Sequence, residues 1–219
     1  MAMPMRLAVL LLSMSAVSAA QDPYRVAGGH YHLEFENAWA RATRVTYGPH
    51  EKSPVHEHPP TPTTVYVYVT DGGIMRFGHV TGEQVAGFTI DRRPVKAGAI
   101  RFAHGAPETH TVEYLGDESS EYVRIELRTE PKDRPTRDVR LPPMALTPSK
   151  SAVETQFENG QVRIQRVMCA AGEKCPEAAA PWIDITMSGL RRGQAQWSPA
   201  VVEGPLELVR VELKTSPVK

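Results

Sequence analysis

The sequence of 219 residues predicts an all-β protein. It contains 19 prolines and 16 glycines, and after the first 20 residues no long stretch keeps apolar side chains at helical spacing. Residues 65–69 alternate valine with tyrosine, so the three valines share one face of a strand. The Asp-Gly-Gly segment at 71–73 then predicts a hairpin turn into a return strand over 74–77.

A second strand is predicted over residues 123–127. Val, Ile and Leu alternate there with Arg124 and Glu126, so the apolar side chains share the buried face and the two charged ones share the other. This pattern is typical of a sheet with one solvated face, and it predicts that Arg124 and Glu126 face water.

The overall composition excludes some partners. A hydrophobic fraction of 41% can supply the core of one large domain or two small ones. Lys plus Arg and Asp plus Glu both number 25, so no excess of positive charge is available to hold a phosphate backbone. Nucleic acid is therefore not an expected partner.

The first 20 residues are predicted to be a secretory signal. Arg6 precedes an apolar run over 7–12, and small residues follow at 16–20. The run is much shorter than the roughly 20 residues of a membrane-spanning helix, and no later segment is apolar enough to span a bilayer. We expect a periplasmic or secreted protein whose mature chain begins near Gln21.

The chain has two cysteines, Cys169 and Cys175, six positions apart. In an oxidising compartment this spacing favours a disulfide across a small loop, in which Gly172 lets the chain turn back. Two unpaired thiols are the alternative. A zinc site built from this pair alone is not expected, because zinc needs four ligands and the second half of the chain contains no histidine.

An internal repeat divides the chain into two copies. The Phe-Glu-Asn segment at 35–37 recurs at 157–159, an offset of 122 residues, and several later residues match at the same offset. The segment at 123–129 recurs at 209–215, an offset of 86 residues, so the second copy is 36 residues shorter. We therefore predict a first domain over 21–131, a stiff proline-rich linker over 132–150 and a shortened copy over 151–219.

The first copy resembles the cupin superfamily in two motifs. The first motif is a glycine, an HxH pair and a later glycine turn, and it is matched by Gly48, His56, His58 and the turn at 72–73. The second motif is a proline, a glycine and a later histidine, and it is matched by Pro94, Gly98 and His110. The resemblance implies a double-stranded β-helix, or jelly-roll, barrel with a truncated cupin-like β unit after it. It also implies a homodimer as a possible assembly.

The resemblance assigns the metal ligands His56, His58 and His110. His56 and His58 lie two positions apart on one face of a strand, and His110 belongs to a later strand of the same barrel. Imidazole ligands suit Zn, Fe, Cu or Ni, and the sequence does not choose among these four. The positions of the second copy that correspond to His56 and His58, at an offset of 122 residues, are Ala178 and Ala180. The repeated scaffold therefore does not itself require imidazoles.

Two features depart from the cupin pattern. The glutamate expected soon after the second histidine is missing, because residues 59–64 contain no carboxylate. Glu113 and Glu57 could replace it, but both have the wrong parity for a regular strand, and only a bulge would bring Glu113 inward. The segment 104–110 is unusual in length, so His104 competes with His110 as the third ligand.

The resemblance implies two functions. One is a metal-dependent enzyme acting on a small molecule, of dioxygenase or isomerase type, with Tyr66 and Tyr68 as candidate substrate-binding residues. The alternative is a non-catalytic cupin of the periplasm that binds a ligand or partner. Fold alone does not decide between them, so the reaction class remains open.

Overall fold

The structure is a computed structural model that describes residues 22–58, 63–81, 84–103, 107–133, 138–143, 150–198 and 204–218. The predicted signal over 1–20 and His104 lie outside these residues. The described chain is almost entirely β, as predicted. Its elements are α1 (Pro23–Val26), β1 (Tyr31–Glu36), β2 (Ala40–Tyr47), β3 (His56–His58), β4 (Thr63–Tyr68), β5 (Met75–Thr81), β6 (Gln84–Arg92), β7 (Ile100–Ala103), β8 (Glu108–Tyr114), β9 (Ser120–Leu127), β10 (Val139–Leu141), β11 (Ala152–Glu158), β12 (Val162–Cys169), β13 (Trp182–Thr186), a 3-10 turn (Gly189–Arg191), β14 (Ala195–Trp197) and β15 (Leu206–Leu213).

The first copy forms a barrel from two antiparallel sheets. The barrel sheet with six strands has the order β1-β2-β9-β4-β7-β10, and the sheet with four strands has the order β3-β8-β5-β6. Their facing sides share an aromatic core that includes Tyr31, Tyr47, Phe77, Tyr114 and Tyr122. All seven tyrosines of the chain contribute to this core or pack against it.

The predicted hairpin over 65–77 is wrong. β4 pairs with β7 and β9 in the six-stranded sheet, whereas β5 pairs with β6 and β8 in the four-stranded sheet. The Asp-Gly-Gly segment therefore carries the chain from one sheet to the other, and Gly72 bridges Val95 instead of closing a hairpin. A tight turn joins antiparallel neighbours only when both strands belong to the same sheet, and here they do not.

The second copy reproduces the six-stranded sheet without its outermost strand. Its order, β11-β12-β15-β13-β14, corresponds strand for strand to β1-β2-β9-β4-β7. The bulge between Leu33 and Phe35 in β1 recurs between Thr155 and Phe157 in β11, at the offset of 122 residues found in the sequence. Within the described residues, no counterpart of the four-stranded sheet follows.

The two copies pack face to face through their apolar sides. Val65, Val67, Ile125 and Leu127 of the barrel share one core with residues of β12, β13 and β15. The predicted alternation over 123–127 is correct, but the predicted solvation of its charged face is wrong. Arg124 is 7% and Glu126 is 5% exposed, because that face lines the interior of the barrel. The second copy covers the apolar face instead.

Three further features concern the second half of the chain and its connection. Cys169 and Cys175 form a disulfide with their Cα atoms 4.8 Å apart. The linker contributes β10, which pairs with β7 and extends the barrel sheet. In the part of the chain that the structure describes, we find no helix with the length and apolar character needed to cross a membrane.

Candidate metal centre

Three histidines converge inside the barrel. His56 and His58 project from β3 in the same direction, and His110 on β8 lies directly opposite His56 in the strand register. Their exposed fractions are 0%, 5% and 2%, respectively. One nitrogen from each ring lies within 4.8 Å of the other two, and the ring centroids are 4.8 to 5.3 Å apart. We call these three residues the histidine triad.

The spacing of the triad is close to that required by one ion. Imidazole nitrogens lie about 2.0–2.1 Å from zinc, so two of them on one ion are at most about 4.2 Å apart. The largest separation allowed by the 4.8 Å limit therefore needs only small rotations of the rings. The donor set also suits Zn, Fe, Cu or Ni better than Mg or Ca.

His56 is oriented by two hydrogen bonds. Its Nδ1 lies 2.9 Å from the carbonyl oxygen of Pro54, which can only accept, so Nδ1 carries the proton. Its Nε2 lies 3.0 Å from the hydroxyl of Tyr31 and accepts from it. Burial raises the pKa of Tyr31 well above its ordinary value, so the hydroxyl remains a donor. The lone pair of His56 is therefore on Nε2, on the side of the ring away from Pro54.

His110 presents a buried nitrogen without a hydrogen-bond partner. No described atom satisfies its Nδ1, and the nearest carboxylate oxygen, that of Glu108, is 3.5 Å away. Buried polar atoms are nearly always paired, so an orphaned nitrogen indicates a missing ligand. A metal ion at the triad would satisfy it.

His58 contacts the buried side chain of Arg124. The Nη1 of Arg124 lies 2.7 Å from the Nδ1 of His58 and 2.7 Å from a carboxylate oxygen of Glu126. A cavity of about 300 Å³ reaches His58, Arg124 and Glu126 from the side of α1. Because a guanidinium only donates, it holds His58 in the neutral form with Nδ1 as acceptor.

All three imidazoles are neutral at physiological pH. Burial lowers the pKa of His56, and it lowers that of His110 to about 2, with the nearby His56 as the next cause. Burial also lowers the pKa of His58 far below its usual range, and Arg124 lowers it further. Since only the neutral ring offers a lone pair, burial prepares the triad for a cation.

The predicted substitutes for the missing glutamate do not join the triad. Glu113 lies in register with Arg76 on the face of β8 opposite to His110, and Glu57 alternates with the two histidines along β3. Among the described residues, the group able to hold a metal contains the three histidines and no carboxylate. His104 lies outside the described residues.

Tyr66 and Tyr68 face the barrel interior from β4. Their rings lie 6.1 and 5.8 Å from that of Tyr122, and the Arg101 guanidinium lies 5.0 Å from the Tyr66 ring centroid. Burial raises the pKa of Tyr68. Both belong to the interior wall on the sheet opposite the triad.

Sequence reasoning missed three residues around the triad. Tyr31 and Arg124 each bond a triad histidine, and strand alternation could have placed both on the inner face had that face been recognised as polar. His79 is the third of these residues. It lies on β5 in register with His110, and the two rings are 5.6 Å apart.

The second copy shows what replaces the site. Residues 176–181, which correspond to the strand of His56 and His58, do not form a strand. Arg210, the equivalent of Arg124, is held by Asp184 through two hydrogen bonds of 2.7 and 2.8 Å. In the barrel the residue opposite Arg124 on the neighbouring strand is Tyr66 instead. The first copy thus lacks this carboxylate and directs its arginine toward a histidine.

Comparison with known proteins supports the fold. Neither a family model nor a curated protein matches the sequence. AerE from Microcystis aeruginosa is 12% identical, with 84% of this chain and 92% of that chain covered and a TM-score of 0.54. The Escherichia coli pirin YhhW in complex with nickel(II) is 12% identical, with 86% and 91% covered and a TM-score of 0.52. A cupin 2 conserved barrel domain protein from Leptotrichia buccalis is 8% identical, with 84% and 88% covered and a TM-score of 0.48.

The topology and the likenesses to AerE and the pirin define the fold. Two facing antiparallel sheets with strands that pass from one to the other form the jelly-roll barrel of the cupin superfamily, as the sequence motifs predict. The chain therefore has the cupin fold. At 12% identity AerE and the pirin establish the architecture alone.

Proposed function

We propose that this chain is an exported metal-binding cupin in which His56, His58 and His110 hold one divalent transition ion, Zn, Fe, Cu or Ni. The observation that carries the proposal is the orphaned Nδ1 of His110 within a buried triad of neutral imidazoles. The small-molecule partner binds inside the barrel, next to the ion. The nickel(II) named for the structurally similar pirin is compatible with this donor set.

The residues around the triad supply more than ligands. An ion bound here would act as a Lewis acid toward an oxygen of the small molecule. Tyr31 fixes His56 by donating to its Nε2, and must turn to another acceptor when that nitrogen binds the ion. The carboxylate of Glu126 offsets the positive charge of Arg124. This pairing reduces the repulsion between Arg124 and a metal ion bound at the triad.

Export is the second part of the proposal. The apolar run over 7–12 with small residues after it supports a cleaved secretory signal. The disulfide between Cys169 and Cys175 supports it independently, because disulfides persist in oxidising compartments such as the periplasm.

Metal content tests the site. Wild-type protein exported by its own signal should contain close to one transition-metal ion per chain, measured by elemental mass spectrometry. The double variant His56→Ala/His58→Ala should lose this ion. His30→Ala with His32→Ala is the matched control, because it removes the other HxH pair of the chain and should keep the ion. Loss of metal in the control pair, with retention in the triad pair, would refute the assignment.

A non-catalytic binding cupin is the alternative function. The hydrogen bond from Arg124 to the Nδ1 of His58 favours it, because the guanidinium competes with an ion for that nitrogen. In this case wild-type protein carries no stoichiometric metal after export, and added Zn, Fe, Cu or Ni does not raise its melting temperature.

A further inference from the structure

We propose that the barrel takes a small carboxylic acid with an apolar body, bound in an arginine-lined cavity beside the triad. The inference rests on the proposed function in that it names the substrate class of the same site. The cavity has a volume of about 390 Å³, which suits a small molecule, and four arginines line it, Arg92, Arg93, Arg101 and Arg140. We call it the arginine cavity.

The charge of the arginine cavity is not balanced by its own walls. Its two carboxylates are Asp91 and Glu108, and Asp91 bonds Arg76 at 2.9 and 3.0 Å. Arg92, Arg93 and Arg140 make no ion pair with any carboxylate in the ranges that the structure describes. The whole chain has a net charge of zero, so this concentration of positive charge is local. Such a cavity attracts an anion.

Arg101 supplies a buried donor that still lacks an acceptor. Its Nε and Nη2 bond Asp138 at 2.7 and 2.6 Å, whereas its Nη1 is buried without a hydrogen-bond partner among the described atoms. Arg101 has its guanidinium 5.0 Å from the Tyr66 ring centroid, which places it at the inner wall of the barrel. An unsatisfied guanidinium nitrogen beside unpaired arginines is suited to a carboxylate oxygen.

The apolar surface of the cavity defines the other end of the ligand. Phe77 and Ile90 line it, and Ile90 is 47% exposed although it lies on the inner face of β6. Phe88, two positions earlier on the same face, is 52% exposed and stacks on His79 at 4.7 Å. Exposed apolar side chains next to charged groups mark a binding surface, so the ligand carries an apolar body as well as an anionic head.

The arginine cavity adjoins the triad. The Phe77 ring lies 5.2 Å and the His79 ring 5.6 Å from that of His110. The guanidinium of Arg92 lies 3.9 Å from the Phe77 ring centroid, so charge and aromatic surface occupy the same wall. A ligand in the cavity therefore reaches His110 with one end while the arginines hold the other.

Binding of benzoate tests the inference, with benzyl alcohol as the neutral analogue of the same size. Calorimetric titration of the purified protein should show saturable benzoate binding that weakens with added salt, and binding of benzyl alcohol at least about tenfold weaker. Arg92→Gln and Arg140→Gln should each lower benzoate affinity about tenfold. Arg192→Gln is the matched control, because Arg192 is an exposed arginine of the second copy that does not line the cavity, and it should stay within about twofold.

The outcome separates this inference from the proposed function. Equal affinities for benzoate and benzyl alcohol, or equal affinities in the wild type and both cavity variants, would overturn the carboxylate assignment even if the triad binds metal. Arginine-dependent benzoate binding would support the cavity and stand apart from the metal site if the exported wild-type protein carries no stoichiometric metal and added Zn, Fe, Cu or Ni does not raise its melting temperature, a result that would refute the metal site. A circular dichroism spectrum and melting temperature for each variant show whether it is folded, and Arg140 is exposed enough that its loss should not disturb the core.

Discussion

Burial keeps the three imidazoles of the triad neutral. The free energy of unfolding is therefore lower in acid. In an unfolded chain each histidine titrates near pH 6.5, whereas the pKa of His110 in the fold is lowered to about 2. Between these values the unfolded chain binds more protons than the folded one. The free energy of unfolding therefore falls as the pH drops below about 6.5, and it is fully retained above that pH.

Replacement of His110 should flatten this pH dependence. In metal-free protein, His110→Asn removes one proton-linked group, so the slope of unfolding free energy against pH should fall by about 1.4 kcal/mol per unit between pH 6 and 4. Urea denaturation over that range measures the slope, which is the readout, rather than the absolute stability. An unchanged slope would mean that His110 titrates in the fold as it does in the unfolded chain.

Individual residues were predictable from sequence where a motif or a period specified them. The spacing of His56 and His58 and the cupin resemblance were sufficient to predict the triad. Arg124 was not predictable in the same way, because strand alternation separates two faces without stating which of them meets water. The interior of this barrel holds buried polar side chains beside its aromatic core, and the outer face of the same sheet is apolar because the second copy covers it.

The sheets are the next scale, and their packing explains why the apolar strand faces are buried. Val65, Val67, Ile125 and Leu127 of the barrel would face water if the second copy did not cover them. The repeat in the sequence predicted a shortened second copy, and its retained strands follow the same order as those of the barrel sheet. The crossing of residues 71–73 between sheets was not predictable, since a glycine turn has the same local sequence in either case.

A core substitution in the second copy should destabilise the protein as a whole. Ile183 is fully buried between the two sheets, so Ile183→Ala should lower the free energy of unfolding by roughly 2–5 kcal/mol through lost contacts and a cavity. Val153→Ala is the control, because Val153 is 41% exposed and its loss should cost less than about 0.5 kcal/mol. Urea unfolding measures both. If Ile183→Ala lowered the free energy of unfolding by less than Val153→Ala does, the two sheets would not share a core.

At the scale of the molecule the two copies have different roles. The first keeps two sheets, an interior lined by polar and aromatic groups, and the triad. The second keeps one sheet, and its arginine is neutralised by Asp184 instead of facing a histidine. The second copy thus covers the barrel, and the chemistry that we propose belongs to the first copy alone.

Anomalous diffraction from crystals grown with a transition metal tests the central claim most directly. The account predicts one strong peak inside the barrel, within about 2.0–2.2 Å of one nitrogen from each of His56, His58 and His110. It also predicts that Arg124 moves away from the His58 nitrogen that it now contacts. A peak at His30 and His32, or no peak within bonding distance of all three triad rings, would contradict the account.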